Sequence, residues 1–513
     1  MSYLTEPRQD KEPSNPAIRL YGRRFYKDQT PVEYLAEFLL VFASKKGANQ
    51  TDQFHFNLND DQDDLCYWPE DRIGLKLFVC FPSSKLATRH FVHHEAYKKA
   101  LHDIQEKIQG SQDVKEESVR LLQSLLSGFV GVSGNRTWAT NTFFPASYDL
   151  LAREVDWLHT KAKKENIQDW DSAQKYFALD RHNFLARGGE LLFLQIVYLF
   201  SPEGQQDLEK RLLKRDEYFH LSKFEKNNLK NEIEKGLLSI LEGDSKDFHS
   251  IVDFIQQSLG SFRLTSSGEI KKASLGWVPK TCSPEAFLFA CELRNICMQH
   301  IGSFEKLQLI QTLCCMQVLR TLCFEARIYE NPEAILDGFV GGYSWIVSDP
   351  NSPPKHSLRK IAQNSFEQIE EMLYRVLRMD GNTNEELLKE ADQHGLKIFK
   401  KIGKSLGLVI PLVGSSQRFS LPPHLLRFLV AALVEPGQPI RLTEFFRRVF
   451  AHYGIALGDK TLSISLTKDK SIEQKDYVVI SDTGWIEETL KQGGLLVELS
   501  DSISIVRNPE IYE

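Results

Sequence analysis

From about residue 90 to about residue 410 apolar side chains recur at three- and four-residue spacing, which commits most of the chain to amphipathic helices packed on one another. The periodicity predicts helices near 90–109, 114–130, 146–163, 189–200, 203–215, 222–241, 284–300, 303–329, 356–379 and 383–407. Connectors bearing proline and glycine separate them, the clearest being SDPNSPP at 348–354. No fixed-period repeat of the solenoid kind is present in the sequence.

The two ends differ from this middle. The first twenty residues are polar and proline-rich, and a flexible arm is expected there. Thr30-Pro31 then opens a helix, because threonine caps well, proline suits the first helical position, and Val32, Leu35, Phe38, Leu39 and Phe42 follow at helical spacing. Ile73, Leu75, Leu77, Val79 and Phe81 alternate, which reads as a short strand. In the tail, 421–434 reads as an apolar helix, 439–442 as a short strand, Thr443 as the cap of a helix through Tyr453, 482–492 as a helix, and LLVELSDSISIVRNP as two alternating runs about a turn. Helix, strand, helix, helix, hairpin is a winged-helix order. The expected fold is therefore mainly α, a multi-helix body with a C-terminal winged-helix-like α+β module. Its expected divisions are an arm over 1–20, a mainly helical domain over 21–270, a central helical domain over 271–410 and the winged-helix-like domain over 415–513.

Composition narrows the function classes. The chain has 513 residues, 42% hydrophobic and 26% charged, with a formal net charge of −6, so any nucleic-acid contact must be local. The N-terminus has no signal-peptide pattern and no apolar run in the sequence reaches the length of a membrane span, which leads us to expect a cytoplasmic protein without a membrane partner. Six of the eight cysteines (Cys282, Cys291, Cys297, Cys314, Cys315, Cys323) fall in one apolar helical region and read as buried thiols.

One stretch invites a chemical reading. In DRHNFLARGGELLFLQIVYLF, 180–200, Arg181, His182 and Arg187 precede Gly188 and Gly189 at the mouth of an apolar helix, where unpaired amides and glycine access would suit a phosphate. The lysine and serine of a P-loop are absent, so the competing reading is a polar turn before a core helix. A second polar loop, GVSGNRTWATNT at 131–142, offers Arg136 to grip a phosphate and Trp138 to stack a base, or an aromatic anchor for the loop. If the two loops adjoin, they form one anion site.

Metal and catalytic constellations are incomplete. His90 and His94 are spaced i,i+4, but Phe91 stands where a zincin carries its glutamate. Cys291, Cys297 and His300 lack paired CxxC spacing, and NDDQDD at 59–64 lacks the glycine and distal glutamate of an EF-hand. Asp459 with Glu473-Gln474-Lys475 gives the outline of a metal-dependent nuclease without its other ligands, and GVSGN misses a nucleophile elbow. We expect no catalytic residue, no metal and no cofactor.

Basic surfaces are clearer. Lys397, Lys400, Lys401 and Lys404 form a stripe at i, i+3, i+4 and i+7, and Lys210, Arg211, Lys214 and Arg215 form a second cluster; each is a phosphate contact or a solvated helix face. The helix that would read DNA in a winged helix carries Asp482, Glu487 and Glu488 against Lys491, and phosphates would repel it. That favours protein docking through Trp485, Glu487 and Glu488, with Arg441, Arg447 and Arg448 on the preceding element.

RRFYKDQTPVEYLAEFLLVF (23–42), FLARGGELLFLQI (184–196) and KIFKKIGKSLGLVIPLVGSSQRFSLPPHLLRFLVAAL (397–433) together resemble uncharacterised accessory proteins of bacterial anti-phage defence islands associated with DNA-modification systems. The resemblance implies a non-catalytic accessory or scaffold subunit that docks onto DNA-processing partners, a helicase, an ATPase or a modification enzyme, and touches DNA backbone. The alternatives are an autonomous DNA-binding regulator using the winged helix and a cryptic metal-dependent nuclease.

Overall fold

The computed structural model describes residues 15–22, 29–47, 53–58, 66–84, 91–132, 136–167, 169–178, 188–221, 226–243, 246–262, 272–333, 335–379, 381, 384–467, 482–500 and 503–508. They are mainly helical, as the periodicity requires. The chain divides into two compact units, each discontinuous in sequence. The smaller comprises Asp28–Phe193 and Leu237–Gly276, and the larger comprises Met1–Lys27, Leu194–Gly236 and Trp277–Glu513.

In the smaller unit the central element is the helix Ile73–Cys80, every residue of which is buried. The alternation of its apolar residues, expected to mark a strand, is instead part of a helix that is covered all round, so both faces are apolar and period carries no information. Helices Phe91–Gln105, Gln112–Ser127 and Lys246–Ser258 pack on it. Lys76 lies within this helix and is fully buried; its ammonium donates to Ala139 O at 3.0 Å and Arg153 O at 2.6 Å. Burial holds its pKa down to about 8 against the pull of Glu154. The helix Pro31–Ala43 starts at the Thr30-Pro31 signal, closed by a capping box in which Glu33 reaches back to the Thr30 amide. The continuous helix expected over 146–163 is instead a 3₁₀ turn at Tyr148–Leu150, a strand at Asp156–Trp157 paired with Phe177–Ala178, and a helix at His159–Lys164.

In the larger unit Ser283–Cys297 and the 28-residue helix Ser303–Glu330 pack on each other and organise the core. The long helix touches Pro16–Tyr21, Ser357–Val376, Leu396–Ser405 and Pro423–Leu433. By length and composition it is apolar enough to cross a membrane, but 83% of its apolar window is buried inside the fold. The expected N-terminal arm is corrected from residue 15 onward: Asn15 caps the helix Pro16–Tyr21, whose Ile18 and Tyr21 are buried. The helix expected over 383–407 breaks at Gly395 into Glu385–His394 and Leu396–Ser405. A short hairpin follows, Val409–Ile410 paired antiparallel with Arg418–Phe419.

The tail contains Pro423–Leu433, strand Ile440–Arg441, helix Leu442–Tyr453, strand Ile455–Ala456, helices Asp459–Thr467 and Gly484–Gln492, and strands Leu496–Ser500 and Ile503–Val506. Thr443 is inside its helix, which Arg441 precedes as the cap position. The last two strands form an antiparallel pair, and Ile440–Arg441 adds to the free edge of Ile503–Val506. Ile455–Ala456 leaves this sheet and runs parallel to Trp345–Ile346.

Candidate docking and nucleic-acid surfaces

The glycine pair at 188–189 is a packing device. A side chain on Gly188 would meet the Tyr34 ring, and one on Gly189 would fall on the Tyr34 carbonyl and within 2.5 Å of Phe38 N. Those glycines therefore let the start of helix Gly188–Leu199 press against Pro31–Ala43. The group that caps this helix N-terminus comes from the protein itself, because Glu37 Oε2 accepts from the Gly189 amide at 2.7 Å. Glu190, one residue on, accepts from Gly276 N at 2.6 Å. Burial, then repulsion by Glu190, raises the Glu37 pKa to about 8. Arg181, His182 and Arg187 lie outside the described residues.

Arg136 and Trp138 also turn inward, which corrects their expected role as ligands for a polyanion. Arg136 forms a two-pronged ion pair with Glu33, one prong at 3.0 Å, with both side chains buried. Trp138 is fully buried, donating from Nε1 to His93 Nδ1 at 3.3 Å among Trp157, Trp170 and Phe177. Neither a phosphate nor a base reaches them without opening the core.

The larger unit holds a buried polar chain that spacing gave no means to find. Glu292 makes a bidentate pair with Arg320, both contacts at 2.8 Å and neither side chain exposed. Its Oε1 also lies 2.7 Å from His452 Nδ1. His452 Nε2 lies 3.4 Å from His220 Nε2, and His220 Nδ1 lies 3.4 Å from Arg447 Nη2. Burial pushes the Glu292 pKa up, but Arg320 and His452 outweigh it and the net direction is down. An ionised Glu292 only accepts, so His452 carries its proton on Nδ1. Burial lowers both histidine pKa values, His220 to about 2, so both are neutral at pH 7. His452 Nε2 is then an acceptor, so the 3.4 Å contact is a hydrogen bond when His220 carries its proton on Nε2 and leaves Nδ1 to accept from Arg447; the Glu217 carbonyl competes for the same His220 proton. These groups span helices Ser283–Cys297, Ser303–Glu330 and Leu442–Tyr453 and the 3₁₀ segment Asp216–Leu221. A charged residue at 292 or 320 inside an otherwise apolar helical run was the signal available in the sequence.

A second buried cluster in the same core is a carboxyl pair, Glu285 and Glu325. Burial and mutual repulsion raise Glu285 well above the usual carboxylate range, and burial brings Glu325 to about 7. Thr281 Oγ1 donates to Glu325 Oε2 at 2.5 Å. Among the described residues no group of three or more His, Cys, Asp or Glu side chains is arranged to hold a metal ion. Of the residues weighed as metal ligands, His90 and Glu473–Lys475 lie outside the described residues, Asp459 begins a helix, and Cys291 and Cys297 are buried thiols.

The lysine helix divides. On Leu396–Ser405, Ile398, Phe399, Ile402 and Gly403 are buried, Lys397 and Lys401 are exposed and Lys404 is half-buried. Lys400 is ion-paired with Glu370. Glu370 also lines an open groove of about 470 Å³ with Glu367, Glu371, Tyr374, Arg375 and Leu396, whose acidic lining is wrong for a phosphate. In the second basic cluster Arg211 pairs with Asp207 at 2.7 Å, while Lys210 and Lys214 are exposed.

In the tail, Arg441 is exposed on the edge strand. Arg447 and Arg448 share Glu444, at 2.6 and 2.9 Å, and Arg448 also donates to Leu433 O at 3.0 Å. They brace the helix onto its neighbours and present less charge than the sequence suggests. Glu488 is exposed, Trp485 and Glu487 are half-buried, and Lys491 pairs with Glu498 at 3.0 Å.

No family model, no curated protein and no solved structure matches the chain.

Proposed function

We propose that this chain is a cytoplasmic, non-catalytic accessory subunit of an anti-phage defence complex, docking through its C-terminal module onto a DNA-processing partner and contacting DNA backbone through local cations. The observation that carries the reading is the tail's sheet: Ile440–Arg441 pairs with Ile503–Val506, which pairs with Leu496–Ser500, around helices at 442–453, 459–467 and 484–492. That order supports a winged-helix module. The helix in the recognition position, Gly484–Gln492, holds Glu487 and Glu488, and its one lysine is engaged by Glu498. A surface of that charge suits a basic protein patch better than a phosphate backbone. This favours docking over the autonomous regulator.

The test is purification of the tagged chain from its native host, wild type beside Glu487→Lys/Glu488→Lys. The expected result is a stoichiometric helicase, ATPase or modification enzyme that is lost from the variant. A chain that purifies alone, or a partner unaffected by the charge reversal, overturns the docking surface.

A further inference from the structure

The hairpin that follows the lysine helix ends in an exposed apolar point. Pro411 to Ser416 are all exposed, with Leu412 at 61% and Val413 at 87%, in contrast to Val409 and Phe419 at its base, which are fully buried. The base is fixed. Gly403 leaves room for Val409, whose Cγ2 would lie 2.6 Å from a side-chain carbon at 403, and Arg418 Nε donates to Ser348 Oγ at 3.1 Å. Phe419 packs against Trp345 and Phe366. The packed stem thus carries two adjacent apolar side chains into solvent, Val413 being the most exposed of the large apolar residues described.

The surroundings of the stem are cationic. On one side the helix Leu396–Ser405 contributes Lys397, Lys401 and Lys404 and holds no acidic residue. On the other, Ser348 bridges to Ser420, and the segment after it brings exposed Lys355 and Lys360 and half-buried Arg359, close enough to Arg418 to lower its pKa after burial has done so. Acidic groups adjoin them: Glu370, ion-paired with Lys400, lines the groove beside Leu396 with Glu367 and Glu371, Asp349 faces Arg418, and Asp482 lies 3.9 Å from His356, so the lysines are in excess without being alone.

We propose that this hairpin tip is a wedge for duplex DNA, with Leu412 and Val413 entering a base step from the minor groove while the flanking lysines hold the phosphates. Architectural DNA-binding proteins use small apolar side chains in this way, at a cost in unstacking that backbone contacts offset. From Lys397 to Lys404 is about 10 Å along a helix, or about three phosphates of one strand at about 3.4 Å of axial rise each. Two side chains on a point cover far less than the roughly 800 Å² per partner of a stable protein interface, which sets a protein occupant aside. The inference rests on the DNA contact proposed above and gives that contact a place and a geometry.

The experiment titrates the full-length protein with a short duplex carrying 2-aminopurine, following anisotropy across salt concentration and the probe's fluorescence as a report of unstacking. Wild type is compared with Leu412→Ser/Val413→Ser and with Lys397→Ala/Lys401→Ala/Lys404→Ala, each checked for an unchanged melting transition. The tip variant is expected to bind about tenfold more weakly with the same salt slope and no fluorescence rise; the lysine variant is expected to flatten the slope by about three. Weaker binding by the lysine variant alone, with the tip variant unchanged in both readouts, overturns the wedge and leaves the backbone contact standing. No duplex binding by wild type at low salt overturns both. Binding to phosphatidylglycerol vesicles without binding to duplex overturns the wedge in favour of a membrane surface.

Discussion

Glu37 and Gly189 stand 152 residues apart, yet the Glu37 carboxyl oxygen accepts from the Gly189 amide at 2.7 Å and takes the place that a bound phosphate would occupy. The adjoining backbones are equally close, so a methyl group at 189 would be driven into Tyr34 O and Phe38 N, neither of which can rotate away. Gly189→Ala should destabilise the protein by about 3 kcal/mol or more, at the upper end for overpacking, and lower its first thermal transition by several degrees. Calorimetry showing an unchanged transition would mean that the two helices separate freely there, and would return the glycine pair to candidacy as a ligand site.

The same carboxyl predicts a pH dependence. Glu37 has a pKa of about 8 in the fold against 4.5 ordinarily, raised by burial and by Glu190. A raised folded-state value means that stability is fully present below pH 4.5 and is lost as pH rises through the window up to about 8, with a limiting slope near 1.4 kcal/mol per pH unit. Glu37→Gln keeps an acceptor for the Gly189 amide and removes the titration. It should therefore become more stable than wild type at pH 8 to 9, as measured by urea unfolding; an unchanged pH profile would place the wild-type carboxylate ionised throughout.

Arg136→Ala should cost about 3–5 kcal/mol, because it leaves Glu33 buried beside no guanidinium while Glu33 also caps its helix. Glu33→Gln/Arg136→Met retains an acceptor for the Thr30 amide and removes both charges, and should recover most of that loss. Full stability of the single variant, in the same denaturation assay, would show that the pair contributes little.

What the sequence revealed follows from which signals are local. The Thr30-Pro31 cap, the Ser283–Cys297 and Ser303–Glu330 helices and the terminal pair of strands are each set by residues within a few positions of one another, and all were legible. Ile73–Cys80 was misread because a helix buried on every side has no polar face to set its period. Arg136, Trp138, Arg447 and Arg448 carried the right chemistry for a surface, but Glu33, His93 and Glu444 claim them inside the fold, at separations from three residues to 103. The hairpin at 409–419 was missed because its strands are two residues long, too short to show alternation. The two units are interleaved in sequence, and no composition shift marks where the chain leaves one and enters the other.

All eight cysteines are free and buried, and burial raises the thiol pKa wherever a shift is resolved, to about 12 for Cys80 and Cys297. Thiolate is the reactive form, so the native protein should show no fast-reacting thiol toward an aromatic disulfide reagent at pH 8, and all eight should react after denaturation. A rapid stoichiometric fraction in the native state would locate a cysteine that opens to solvent.

In the Arg447–His220–His452–Glu292 chain an ionised Glu292 sets the His452 proton, and a hydrogen-bonded chain requires the His220 proton on Nε2, which is open to direct observation. Nitrogen NMR should find His452 protonated on Nδ1 and His220 on Nε2, both neutral at pH 7, with His220 unchanged to pH 5. Because burial lowers both folded-state values below 6.5, their contribution to stability is complete above pH 6.5 and falls as the pH drops, when only the unfolded chain takes up the protons. His220→Gln keeps a side-chain donor toward His452 without a titrating ring, and should reduce the acid sensitivity of unfolding between pH 6.5 and 5 by up to about 1.4 kcal/mol per pH unit. A His220 that titrates near pH 6.5 in the folded protein, or a variant as acid-sensitive as wild type, would break the chain at its 3.4 Å histidine contact and leave Glu292, Arg320 and His452 as a separate buried triad.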